Sequence, residues 1–190
     1  MSKWEITDEI KERQEALLES SFDAYCIQTH TQDEIPLCLH INSLNPDCLA
    51  LPLLKSTHKS VNGVKSVILK SVLPSYCFLY TPKDWDINTL KRTFKESFHF
   101  INNVDKDSFV LKGSDLSYAK MVFSYGGIIG MSKAMNVNGK IVITDGPLEN
   151  LKGSIKEYSK KNRNCRIELP LFNQIVSAWL PFEWVGADES

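Results

Sequence analysis
At 190 residues, 43% of them apolar, the chain is long enough for one sizeable core or two small ones. The net charge of −1 hides an uneven distribution, with three basic and six acidic side chains in residues 1–20 against seven basic and five acidic in 137–185. No apolar run approaches the ~20 residues that span a bilayer, and "MSKWEITDEIKERQE" has no apolar signal core, so a soluble, cytoplasmic protein with no membrane association is expected.

The first predicted element is a helix in "ITDEIKERQEALLESS", opened by Thr7 or Asp8, acidic in its first turns, with Ile10, Leu17 and Leu18 as a thin apolar stripe. So narrow a stripe buries little, and residues 1–20 read as a dispensable helical extension. A strand over 24–29 ("AYCIQT") is followed by a short helix over 33–44, with Asp33 as N-cap and Pro36 in the first turn, where a missing N–H costs least. "CLALPLL" reads as a buried strand, and "KSVNGVKSV" places Asn62-Gly63 at the turn of a two-residue hairpin. Next come a strand over 76–80 ("YCFLY") and a helix capped by Asp86, with Ile87, Leu90, Phe94 and Phe98 near one face. A strand near "FHFIN" and a helix after Ser114-Asp115 complete a β-α-β-hairpin-β-α-β-α order, which predicts an α+β domain ending near residue 123.

"SYGGIIGMSKAMNVNG", rich in Gly, Ser and Asn, reads as a connector. Beyond it, "KIVIT", "GSIKEY", "CRIELPLF" and "IVSAWLPF" are short strand-like runs with turn signals between them, suited to a small barrel. Pro147 fixes φ for a turn, Gly146 relieves the crowding that proline imposes on its predecessor, Gly153 permits close passage of a neighbouring strand, and Leu148 folds back over the barrel mouth.

"GKIVITDGPLENLKGSI" resembles a KOW motif, with Gly146, Pro147, Leu148 and Gly153 as its turn, which implies an SH3-like five-stranded β-barrel. "LPSYCFLY" (73–80) and "AYCIQTHTQDE" resemble two segments of the NusG N-terminal domain, an α/β sandwich, in the same chain order. The three segments together resemble the NusG family of transcription elongation factors. "GIIGMSK" and "ELPLFNQIVSAWLPFEWV" look more like specialised LoaP-type antiterminators. The resemblance divides the chain into an extension (1–20), a NusG N-terminal-like domain (21–123), a linker (124–136) and a KOW domain (137–186). Ala24, Leu73 and Ser75 depart from the family's Trp, aromatic and Gly, as expected of a divergent paralogue.

The family's N-terminal domain grips the clamp helices of RNA polymerase in an apolar cavity. The resemblance carries that role to Leu73, Tyr76 and Phe78, with Phe100 nearby, although simple core packing explains such residues equally well. Lys55, His58, Lys59, Lys65 and Lys70 of the hairpin would, by the resemblance, lie near nucleic acid, or the lysines merely guard an edge strand. Lys152, Lys156, Lys160, Lys161, Arg163 and Arg166, crowded into fifteen residues, offer phosphate contacts to an RNA hairpin, and a ribosomal or termination protein is the other partner expected at the barrel. Trp179 and Trp184 read as barrel core or rim.

Five cysteines without a C-x-x-C pair read as reduced structural thiols. No catalytic grouping, phosphate-cradling loop or metal-ligand spacing stands out, so a monomeric non-enzyme without cofactor or metal is expected. The implied function is transcription elongation and antitermination. The alternative is a KOW-type RNA-binding or ribosome-associated structural protein that does not bind polymerase.

Overall fold
The structure, a computed structural model, describes residues 3–61, 64–95, 97–101, 108–172 and 174–185. The chain is α+β. Its elements are α1 (Asp8–Ser20), β1 (Phe22–Gln28), α2 (Glu34–Leu44), β2 (Leu49–Pro52), β3 (Leu54–Val61), β4 (Val64–Ser71), β5 (Tyr76–Pro82), α3 (Asn88–Phe94), β6 (His99–Phe100), α4 (Gly113–Ser124), β7 (Ile128–Ile129), β8 (Ser132–Val137), β9 (Lys140–Asp145), a 3-10 helix (Pro147–Ser154), β10 (Ile155–Ser159), β11 (Asn164–Leu171) and β12 (Gln174–Trp184). Two units emerge, Met1–Leu53 with Leu73–Gly127, and Leu54–Val72 with Ile128–Ser190.

In the first unit, Thr7 is extended and its Oγ1 accepts from the Ile10 N–H at 3.3 Å, the N-cap geometry expected of threonine. Ile10 and Leu17 are buried, whereas Leu18 points outward. The segment is integrated with the unit, against the expectation of an accessory extension. The reason lies upstream of the stripe: Trp4 is 1% exposed and its Nε1 donates to the Gly126 carbonyl at 3.1 Å. Arg13 adds donations to the Asn45 and Cys48 carbonyls at 3.1 and 2.9 Å.

The core of this unit is a four-stranded antiparallel sheet, β2-β5-β1-β6. Because side chains alternate across a strand, Tyr76, Phe78 and Tyr80 share one face and Cys77 and Leu79 the other. α4 covers the first face: the Tyr80 hydroxyl donates to the Ala119 carbonyl at 2.7 Å, and the Phe78 and Tyr118 rings lie 6.0 Å apart. α2 covers the second, where the Cys77 thiol meets the Glu34 carbonyl at 3.7 Å, and α3 adjoins it through the His40–Phe94 edge contact at 5.0 Å. The N-cap position of α3 is Ile87, and the expected cap, Asp86, stands one residue ahead of it and accepts from the Asn88 N–H at 3.0 Å. Asp33 stands at the N-cap of α2 without a side-chain cap bond; it is the next residue, Glu34, whose buried carboxylate accepts from the Ser75 N–H at 2.6 Å.

In the second unit, β3 and β4 form the expected hairpin, with Val61 opposite Val64; the Asn62-Gly63 turn lies outside the described residues. The hairpin groups with this unit and not with residues 21–53, because β3 pairs in parallel with β7 and Lys55 donates to the Trp179 carbonyl. The remaining strands form a five-stranded sheet, β10-β11-β12-β8-β9, antiparallel except between β12 and β8. β8 falls largely inside the segment read as a linker. Its inward residues are Ser132 and Ala134, too small to register as a strand's apolar face, yet both are fully buried.

The Gly-Pro segment leads from β9 into the 3-10 helix. Gly146 has φ +91°, and a Cβ there would meet the Ser132 Cα at 2.8 Å, so both conformation and space demand glycine. Leu148 is fully buried. Gly153 lies within the 3-10 helix, and its surroundings are outside the described residues.

Candidate partner and nucleic-acid surfaces
The four residues assigned to polymerase do not form one surface. In the sheet, Gln28 pairs with both Tyr76 and His99, while Ile27 pairs with both Cys77 and Phe100. Residues in one such row share a face, so Tyr76 and Phe100 lie on opposite faces. Phe78 is fully buried beneath α4, and Leu73 is buried in the turn before β5, so neither is available to a partner. Tyr76 lies beyond the part of the face held by Tyr118 and Ala119 and is half-buried, its hydroxyl accepting from Gln28 Nε2 at 3.4 Å. The accessible remnant on that face is the row Tyr76, Gln28 and His99.

Phe100 belongs to a different feature, a groove of about 340 Å³ whose walls include Phe94, Phe98, Phe109 and Lys91. Phe100 packs at 5.3 Å from Phe98 and 5.4 Å from Phe109, and the Lys91 ammonium sits 4.1 Å from the Phe109 centroid. A cation over a ring face is attracted by the ring's negative quadrupole. Lys91 and Phe109 escaped the sequence reading because they are eighteen positions apart and meet only in space.

The basic cluster of the second unit is sorted by its hairpin. Ser159 pairs with Asn164, which leaves Lys160, Lys161, Asn162 and Arg163 as an exposed loop. Its backbone is held: the Asn162 N–H donates to Ser159 Oγ at 3.3 Å, Arg163 N–H to the Lys160 carbonyl at 3.3 Å, and Phe182 N–H to the Arg163 carbonyl at 2.9 Å. Three cations therefore project from one short, pinned turn. Lys156 is exposed on β10, and the Lys152 side chain lies outside the described residues.

Arg166 stands apart from this group. It lies across the strands from Glu157, to which its Nε donates at 3.2 Å, and its Nη1 donates to Glu168. Glu168 and then Glu157 stabilise the guanidinium and raise its pKa further. With two carboxylates on its fork it offers little positive potential to a phosphate. Asp145 is held below the usual carboxylate range by Lys133, at 3.1 Å, and by the Gly146 N–H. Trp179 and Trp184 are half-buried, and Trp184 packs edge-on to Phe182 at 5.2 Å.

All five cysteines are free and buried. Burial, with Asp47 adding to it, pushes the Cys48 thiol up to about 12, and burial alone does the same for Cys165. Such thiols are poor nucleophiles near neutrality. Among the described residues no group of three His, Cys, Asp or Glu side chains gathers as a metal site, and no helix is long and apolar enough to cross a membrane. No protein-family model matches the chain, and a search of curated proteins finds no match.

Proposed function
We propose that the protein is a nucleic-acid-associated transcription factor of NusG type, in which the second unit is a KOW barrel that contacts structured RNA through the Lys160–Arg163 loop. The observation that carries this reading is the gathering of Lys160, Lys161 and Arg163 on one exposed turn whose backbone is fixed by three hydrogen bonds. A fixed turn presents the three side chains from defined positions, and binding gains from counterion release. The five strands and the Gly146 turn into a 3-10 helix support the barrel. The sheet of the first unit, covered by α4 on one face and by α2 on the other, is compatible with the α/β sandwich that the resemblance implies and supports attachment to RNA polymerase. Attachment to the clamp helices would act by linkage: stabilising the closed clamp by a few kcal/mol shifts the paused population by orders of magnitude and so favours antitermination.

The burial of Leu73 and Phe78 favours a second reading, an RNA-binding or ribosome-associated protein that does not engage polymerase. Pull-down of polymerase by the full chain, together with RNA-hairpin binding measured over a range of salt, tests both. RNA binding with polymerase capture supports the factor, and RNA binding alone supports the second reading. Capture of a ribosomal or termination protein without RNA binding at low salt overturns the RNA role of the loop.

A further inference from the structure
Of the chain's phenylalanine, tyrosine and tryptophan side chains, all of them among the described residues, Tyr158 alone is exposed, at 40%, while the rest are half-buried or buried. It stands on β10, two positions before the pinned Lys160–Arg163 loop. Neither attachment to polymerase nor the phosphate contacts of the loop make use of it.

A β-bulge decides which way Tyr158 faces. Ile155 lies opposite the buried Ile167, so unbroken alternation would send Glu157 to that same inner face and Tyr158 to the face of Arg166. The register shifts between Ile155 and Glu157 and reverses this. Glu157 lies opposite Arg166, whose Nε donates to it at 3.2 Å, and Tyr158 lies opposite Cys165, in the row that continues to Leu180. Cys165 and Leu180 are fully buried. Tyr158 stays exposed in the same row because β10 ends the sheet, and among the described residues no strand pairs with its outer edge.

The bulge thereby sorts charge. The acid of β10, Glu157, is turned to the other face and matched by Arg166, while Lys156 and Lys160, two positions to either side of Tyr158, are exposed. Lys161 and Arg163 add two more exposed cations in the adjoining turn. Partial burial, and then the neighbouring Cys165, pushes the Tyr158 phenol above its ordinary value, so the ring is uncharged near neutrality and does not repel phosphate.

An exposed ring among cations, with the strand's acid facing elsewhere, suits a nucleotide whose phosphates the cations hold and whose base lies on the ring. Bases within a duplex stack on one another, and the A-form major groove is too narrow for side chains, so the base that meets an aromatic ring is an unpaired one. We infer that Tyr158 is a stacking platform for an unpaired base, so that the RNA taken by the Lys160–Arg163 loop carries a loop, bulge or single-stranded end beside the phosphates contacted. This inference rests on the RNA reading of that loop and adds to it the class of RNA recognised.

Fluorescence anisotropy of the full chain at low salt tests it with two probes, an oligouridine and an abasic ribose-phosphate strand of the same length. The probes carry the same phosphates and differ only in their bases. The wild type should bind the oligouridine about tenfold or more tightly than the abasic strand. Tyr158→Ala and Tyr158→Leu, at an exposed side chain, should bring the two affinities together while the dependence on salt and the circular dichroism spectrum are unchanged. Tyr158→Phe should keep the difference, since the ring and not the hydroxyl stacks; leucine keeps apolar bulk without a ring, which separates stacking from simple apolar contact. Replacing Lys160, Lys161 and Arg163 together by Ala should weaken both probes alike. Equal, salt-sensitive binding of the two probes by the wild type overturns the platform and leaves the basic loop standing, as does a preference for oligouridine that survives in folded Tyr158→Ala or Tyr158→Leu. A wild type that binds neither probe at low salt overturns the RNA reading and the platform with it.

Discussion

The hydroxyl oxygen of Ser132, on β8, accepts a hydrogen bond from the backbone N–H of Leu148 at 2.9 Å, and both residues are fully buried. This bond ties the start of the 3-10 helix to a strand that precedes it by more than a dozen residues, and Gly146 makes the approach possible. Gly146→Ala is expected to destabilise the chain by at least about 1–2 kcal/mol, the cost of a left-handed conformation with a Cβ, with the clash against Ser132 in addition. Ser132→Ala leaves a buried donor unpaired and should cost about 1–3 kcal/mol. Urea unfolding of each variant checks both values.

Trp4→Ala should cost about 3–5 kcal/mol, as expected for emptying a fully enclosed aromatic site. Trp4→Phe retains much of the packing but orphans the Gly126 carbonyl, for about 1–3 kcal/mol. Deleting residues 1–20 should destabilise the first unit. Unfolding curves superimposable on the wild type would show that the segment adds nothing to the core.

Phe78→Ala is expected to behave as a core truncation, costing about 3–5 kcal/mol, whereas Tyr76→Ala should cost about 1 kcal/mol. If the row Tyr76, Gln28 and His99 meets polymerase, Tyr76→Ala weakens co-purification with the fold intact. Full capture by folded Tyr76→Ala removes that row from the interface.

Replacing Lys160, Lys161 and Arg163 together by Ala should reduce the dependence of log K on log salt by up to about three phosphate contacts, at roughly 0.7–0.9 each, with little loss of stability. Arg166→Ala should leave that slope almost unchanged, since Glu157 and Glu168 already occupy its fork. A slope change for Arg166→Ala equal to that of a loop lysine would contradict the ion-pair account.

Cys48 and Cys165 keep their protons in the fold up to about 12, against about 9 for free thiols. Between those values the unfolded chain binds fewer protons than the folded one, so stability falls as pH rises through the window and is undiminished below it. Chemical denaturation at increasing alkaline pH should show this decline. Cys48→Ala combined with Cys165→Ala should flatten it relative to the wild type.

Features decided by neighbours a few residues apart were readable without the fold. Thr7 as one of two candidate caps, Asp86 as an acceptor just ahead of α3, the register of the β3–β4 hairpin and the strand runs from β9 to β12 all follow from short-range hydrogen bonding or period-two alternation. The Lys160–Arg163 loop was legible for the same reason, since its cations are contiguous and lie between two strand-like runs. The sequence alone also determined that Tyr76 and Phe78 point the same way.

What it could not determine is which part of that face α4 covers, so the burial of Phe78 and the partial exposure of Tyr76 were decided by packing between elements some forty residues apart. The same holds for Trp4, whose partner is Gly126, and for Arg166, whose charge is matched from the adjacent strand by Glu157. β8 escaped notice because Ser132 and Ala134 carry almost no apolar surface, and their burial is imposed by β12 and the 3-10 helix closing over them. Local geometry is written in side chains adjacent along the chain, whereas burial and charge compensation are properties of surfaces that exist only after distant segments have met.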